Sequence, residues 1–454
     1  MLDQIRSEKR RLRDSTFFKL MVLGGLALLL LIPLAMVGSL IRERQARRHQ
    51  AAEEVASSWG RSQILGGPVL IVPFLMHGKD DKGKDVTWTS YAHFLPETLE
   101  IDGRIAPERR NRGIFEVAVY RADLHWKGTF LRPDFSNWRI APQDILWDDA
   151  WLSVGIPDLR GIRSGVALTW GGRSLQFEPG ARGGGLWDSG LSVRMPELKT
   201  AEKGQAYAFA FNLGLNGSQK LDFLPLGKQT KVLLRSSWPS PSFAGAFLPE
   251  SREVSGTGFE AVWNVSWFGR GYPQQWRSEE TQTEKVFASA FGVELFLPVD
   301  SYQKTERSVK YGVLFLLLTF LTFFLYEVFN PFSLHPIQYL LVGSAICLFY
   351  LLLLSLSEHL PFGLAYAAGA AATVLLIGGY SAAILRGAVR AFLMTAVLGG
   401  LYGYLYVLLQ LEDYALLLGS LGLFLILALV MYLTRKIDWA AARPGRGAVP
   451  VPNP

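Results

Sequence analysis

The chain has 454 residues, with 46 Lys and Arg against 39 Asp and Glu, one Cys, and a mean hydropathy of +0.20. From Val309 to Leu433 only seven side chains are charged: Lys310, Glu327, Glu358, Arg386, Arg390, Glu412 and Asp413. So long a nearly uncharged stretch excludes a simple cytosolic enzyme and a disordered chain. Much of the +7 net charge flanks apolar segments, and no nucleic-acid-binding motif accompanies it, so no nucleic-acid partner is expected.

Residues 1–16 form a basic N-terminus with Arg6, Lys9, Arg10, Arg11 and Arg13. A bilayer core needs about 20 apolar residues per helix, and Phe17 to Leu40 supplies the first such run. It exceeds the apolar region of a signal peptide, and no A-x-A cleavage site follows, so it reads as an uncleaved anchor. Ile41 to Ser58, rich in Arg, Gln, Ala and Glu, continues that helix outward as a charged stalk.

After Trp59-Gly60 the pattern changes. Short β-branched and aromatic runs alternate with Gly, Pro, Asn and Asp, as in Pro68–Leu75, Val86–Phe94, Gly113–Phe130, Tyr207–Leu215 and Phe259–Trp267. This spacing predicts an antiparallel, sandwich-like β domain within residues 41–308. Twelve of the 13 Trp lie here. Large aromatics fill sheet cores, and they also stack on sugar rings. The best surface candidate is the stretch with Trp263, Trp267, Arg270 and Trp276, where Gly, Arg and Pro interrupt the strand pattern.

Five further spans follow in 309–433, near Val309–Phe329, Ile337–Ser357, Phe362–Leu385, Ala391–Leu411 and Tyr414–Leu433. The fold class is thus a six-helix membrane bundle, one span N-terminal and five C-terminal, with a large β domain inserted. Short loops make consecutive helices antiparallel neighbours. The small residues Ala367–Ala372 and Gly399-x-x-x-Gly403 are expected to pack within the chain, with an oligomer interface as the alternative. Lys and Arg concentrate in the loops on one side, at Arg386, Arg390 and the tail. Both termini are therefore expected in the cytoplasm and 41–308 outside. The tail, residues 434–454, is Pro-rich and reads as disordered.

Catalytic motifs are scarce. There is no H-E-x-x-H, Walker loop, G-x-S-x-G or G-x-G-x-x-G. His49, His77, His93 and His125 lack metal-ligand spacing, and Cys347 reads as a small apolar residue in a span. One S-x-x-K, Ser301 to Lys304, lacks its partner motifs and leads into the second span. No catalytic residue, cofactor or metal is expected. Charges in or beside spans are costly and need explaining. Glu327, Glu358, His359, Glu412 and Asp413 form the candidate functional cluster. The last four would cap short outer loops, or bind a cation or proton.

Several stretches resemble the CreD family of inner-membrane cell envelope integrity proteins. They include SVGIPDLRG (Ser153–Gly161), YQKTERSVKY (Tyr302–Tyr311), LTFFLYE (Leu321–Glu327), HPIQYLLVG (His335–Gly343), YLLLLSLSEH (Tyr350–His359), LYGYLYVLLQLEDYALLLGS (Leu401–Ser420) and MYLTRKIDW (Met431–Trp439). The resemblance implies a bacterial inner-membrane protein with a periplasmic β domain, acting in envelope maintenance. It also implies induction by a sensor-kinase and response-regulator pair, with effects on colicin tolerance and β-lactam response. It brings no catalytic residue or cofactor. The function expected is a non-enzymatic envelope-stress component with the bilayer and a periplasmic wall or envelope-protein partner. The alternative is a proton- or cation-coupled transporter using Glu358, His359, Glu412 and Asp413.

Overall fold

The computed structural model describes residues 16–182, 184–200, 202, 204–295, 297, 301–329, 333–384, 388–411 and 414–435. The chain divides into two compact units, residues 1–47 with 299–454, and residues 48–298.

In the first unit, six helices among the described residues are long and apolar enough to cross a membrane. They are α1 (Thr16–Trp59), α3 (Ser301–Phe329), α4 (Pro336–Ser357), α5 (Phe362–Ile384), α6 (Ala388–Gln410) and α7 (Ala415–Thr434). Helix α2 (Thr283–Ala288) is a short element of the other unit. The bundle core is aromatic. Phe349 meets Tyr350, Tyr366 and Tyr402 edge-on, with ring centroids 4.8–5.5 Å apart. Gly369 of α5 sits against Phe349, and Gly312 of α3 against Tyr350. Close approach at these glycines is the packing that small residues allow in lipid.

The Gly399-x-x-x-Gly403 expectation needs correcting. A Cβ at Gly399, Gly400 or Gly403 would meet nothing within 4 Å. This face of α6 is exposed, because the helix turns Met394, Leu398, Tyr402 and Leu405 inward instead.

The second unit is built on two sheets. The nine-stranded sheet runs β13 (Pro241–Gly245), β17 (Phe291–Leu295), β11 (Lys220–Phe223), β1 (Gln63–Lys79), β5 (Trp151–Gly155), β9 (Gly190–Arg194) and β8 (Glu178–Pro179). Off this path β1 also pairs with β2 (Asp85–Phe94), which carries β16 (Gln275–Arg277). The eight-stranded sheet runs β14 (Ser251–Ser255), β15 (Gly258–Ser266), β12 (Gln229–Ser236), β3 (Thr98–Arg112), β4 (Phe115–Leu131), β10 (Ala206–Ser218), β6 (Ala167–Trp170) and β7 (Arg173–Gln176).

Both sheets are open. Most pairings are antiparallel, but β1–β11 and β3–β12 are parallel, which makes both sheets mixed. Strand alternation reports the face a residue takes and not the direction of its neighbour, so this was invisible in the pattern. In β3 and β10 buried and exposed residues alternate, as half-buried strands require. In β1 the first twelve residues are almost continuously buried. One side joins the inter-sheet core through Leu70, Val72 and Phe74. The other joins a second cluster, Val69 and Ile71 with Leu95, Leu224, Leu226 and Trp276.

The inter-sheet core explains most of the aromatic content. Trp126 of β4 contacts Phe223 of β11, and Trp263 of β15 contacts Phe291 of β17. Trp126, Trp170 and Trp263 are fully buried. Residues 48–59 of α1 belong to the second unit, and within it Ala52, Val55 and Trp59 pack on Val117 and Val119. There Trp59 Nε1 donates to the Tyr120 carbonyl at 3.2 Å, and the Arg110 guanidinium lies 3.7 Å from the Trp59 ring centroid.

Asp158, in the stretch Ser153–Gly161, ties a joint of the fold. Its carboxylate accepts from the Arg61 and Arg160 backbone N–H groups and from the Arg160 guanidinium. The Gln63 amide donates to its carbonyl. A side chain at Gly161 would strike the Asn216 carbonyl at 2.4 Å.

Candidate functional site

The sequence-selected residues fall in three places. In the β unit, Trp263 and Trp276 are buried, at 1% and 3% exposure, and Arg270 is buried at 4%. The surface reading of these three is therefore overturned. Trp263 belongs to the inter-sheet core, and its Nε1 donates to the Phe247 carbonyl. Trp276 stacks on His93 at 5.2 Å with nearly parallel rings. Arg270 donates to the carbonyls of Leu226 at 2.9 Å and Gly227 at 2.8 Å, and to the Gln274 amide oxygen Oε1 at 2.6 Å. Further carbonyls of Pro225, Tyr272 and Pro273 lie at 3.3–3.4 Å. It is an internal strut for the turn 225–227. Burial away from any carboxylate pulls its guanidinium pKa below the usual Arg value.

Only Trp267 of the four is partly exposed, beneath Lys228, whose ammonium is 5.5 Å from its ring centroid. Its neighbour Phe268, which was not selected, is 86% exposed. The two rings touch, 5.1 Å apart, and form an apolar knuckle. The adjacent Gly-Arg-Gly turn was the usable signal: it lifts one aromatic out of the strand pattern while Arg270 pins the turn from below.

The other two places are in the helical unit. Glu327, in the last turns of α3, is 8% exposed and accepts from Lys19 of α1 at 2.6 Å and from Tyr339 Oη of α4 at 3.2 Å. Lys19 also donates to Ser333 Oγ at 2.9 Å. Glu358, which caps α4, accepts from Tyr302 Oη of α3 at 3.1 Å and pairs with Arg44 of α1 at 3.5 Å. Each clamp thus holds one carboxylate between a cation of α1 and a tyrosine hydroxyl. Lys19 and Arg44 are 25 residues apart on α1, as are Tyr302 and Glu327 on α3. At about 1.5 Å per residue that is roughly 37 Å, the thickness of a hydrocarbon core plus part of its interfaces. The clamps lie at opposite ends of the spans, where charge is tolerated.

His359 is exposed in the turn after α4. Glu412 and Asp413 lie outside the described residues. Glu358 turns toward α1 and α3. Lys304 reaches Gln410 at 3.3 Å and stands over the Phe362 ring, and Ser301 gives its carbonyl to Thr305. No group of three or more His, Cys, Asp or Glu able to hold a metal gathers among the described residues. Tyr302, Tyr339, Arg44 and Lys19 were missed as partners. Their common signal is a basic residue at each end of one span matched by a carboxylate at each end of the next hairpin.

These features define a multi-pass membrane protein with a two-sheet domain inserted after its first span. The family described as "Inner membrane protein CreD" matches residues 15–440. The chain is also 36% identical over 433 residues to the inner membrane protein CreD of Escherichia coli (strain K12), covering 95% of each. The chain belongs to the CreD family, and it is an inner-membrane protein.

Proposed function

We propose that this protein maintains the cell envelope without catalysis of its own, through a β domain held in the periplasm by a six-span anchor. Both termini then lie in the cytoplasm. The single observation that carries the reading is a large, internally cored β domain between the first two spans of a CreD-family chain. The excess of Lys and Arg in the loops opposite that domain supports the orientation. The surface best suited to a wall or envelope-protein partner is the Trp267–Phe268 knuckle, since an exposed aromatic pair is costly unless something covers it.

The test is complementation of a strain lacking the gene, scored by detergent and β-lactam sensitivity at matched membrane abundance. Phe268→Ser combined with Trp267→Ala is expected to fail, while Glu358→Gln complements. Full complementation by the double variant removes the knuckle from this reading. The transporter alternative is not favoured by the described residues of the helical unit, where Glu327 and Glu358 each serve helix-to-helix clamps.

A further inference from the structure

We propose that the Lys19–Glu327 end of the bundle holds the headgroup of a zwitterionic phospholipid bearing a primary amine, of the phosphatidylethanolamine type. A cavity of about 380 Å³ opens beside the clamp. Its polar wall is Lys19, Glu327, Ser333, His335 and Tyr339, and its apolar wall includes Phe18, Val22 and Leu334. One half of the wall suits a charged headgroup and the other an acyl chain. It belongs to helices that lie in the membrane, so a lipid is the ligand that reaches it without leaving the bilayer.

The donors are set by chemistry. His335 caps α4: its ring Nδ1 accepts from the Ile337 N–H at 3.3 Å, while its backbone N–H donates to Gln338 Oε1 at 2.9 Å. With Nδ1 accepting, the neutral ring carries its proton on Nε2, which becomes a donor. Lys19 has three N–H bonds and spends two, on Glu327 and Ser333. Lys19 and His335 both line the cavity, so the third Lys19 N–H and the His335 Nε2–H are donors available there to phosphate oxygens. Glu327 keeps lone pairs beyond those taken by Lys19 and Tyr339, enough to accept from an ammonium. Lys19 and Glu327 sum to zero, so a net anionic headgroup would add an uncompensated charge beside a buried carboxylate. The neutral pair selects the zwitterion. The N–H donors of a primary ammonium select it over a quaternary one.

The test is thermal unfolding of the purified full-length protein in detergent, titrated with dioleoyl-phosphatidylethanolamine, -phosphatidylcholine or -phosphatidylglycerol. Half-maximal stabilisation is expected at about tenfold less of the ethanolamine lipid than of either other. Val22→Phe fills the cavity without touching the clamp, and it is expected to abolish that preference with the lipid-free midpoint unchanged. Should that variant fold poorly, Leu23→Phe serves as the second filling substitution. Glu327→Gln is expected to bring the ethanolamine and choline lipids to equal potency. Equal potency of all three lipids on wild type, a preference for phosphatidylglycerol, or a filling variant that responds as wild type does would overturn the proposal.

Discussion

Two buried charges of the β unit show how environment decides what a residue does. Asp222 of β11 is 1% exposed and pairs with Lys220 at 2.6 Å. Burial, aided by Glu294, raises its carboxyl above the usual Asp value against the opposing pull of Lys220. The folded chain then binds more protons than the unfolded one between the two pKa values, so stability falls as pH rises through that window. Asp222→Asn removes the titration. Its stability relative to wild type is expected to grow as pH rises from about 4, the unfolded Asp value, and then level off, as followed by denaturant melts at stepped pH. Asp158 has the opposite sign. Its hydrogen bond from Arg160 holds its carboxyl below the usual value, so its contribution stands at neutral pH and is lost as pH falls. Asp158→Asn should therefore cost most at neutral pH and little in acid. Arg270 supports its turn with a planar fork that Lys cannot reproduce. Arg270→Met leaves several buried carbonyls without a donor, each costing about 1–3 kcal/mol. A loss of about 3 kcal/mol or more is expected in urea melts, with Arg270→Lys recovering only part of it.

At the scale of elements, the clamps explain why α1 stays with α3 and α4. Breaking a buried ion pair by removing one partner costs about 3–5 kcal/mol, because it strands the other charge. Lys19 is 32% exposed and Glu327 keeps its hydrogen bond from Tyr339, so Lys19→Met is expected below that range, at about 1–3 kcal/mol. The double variant Lys19→Met with Glu327→Gln should recover most of the loss, and the coupling is read from a double-mutant cycle of thermal unfolding. Additive losses would mean that the two side chains act independently. In the β unit, Gly155 marks a similar joint: a Cβ there would come within 2.6 Å of the Trp187 ring, whose Nε1 donates to Ser153. Gly155→Ala is expected to destabilise the domain and shift Trp fluorescence, while Gly165→Ala, with open space around it, should do neither.

At the scale of the molecule, the proposed topology has a direct check. The single native cysteine, Cys347, is buried, so introduced cysteines can be read against a low background. Lys82→Cys, at the tip between β1 and β2, is expected to react with an impermeant maleimide in intact spheroplasts. Ser7→Cys, in the basic N-terminal segment, should react only after lysis, and the reverse pattern would invert the orientation. The sequence by itself determined the spans, because twenty apolar residues in a row have few stable alternatives to a membrane helix. It also determined that a β domain lies between the first and second, through alternation and turn residues that are local properties of the chain. Which aromatic of Trp263–Trp276 faces water was decided only by the tertiary structure, since the same run of rings serves a core or a surface depending on the opposing sheet. The parallel neighbours β1–β11 and β3–β12 were decided there too, and so were the partners of Glu327 and Glu358. Those ion pairs join residues some 300 positions apart, and nothing local to either residue encodes the distant partner that burial in a bundle makes necessary.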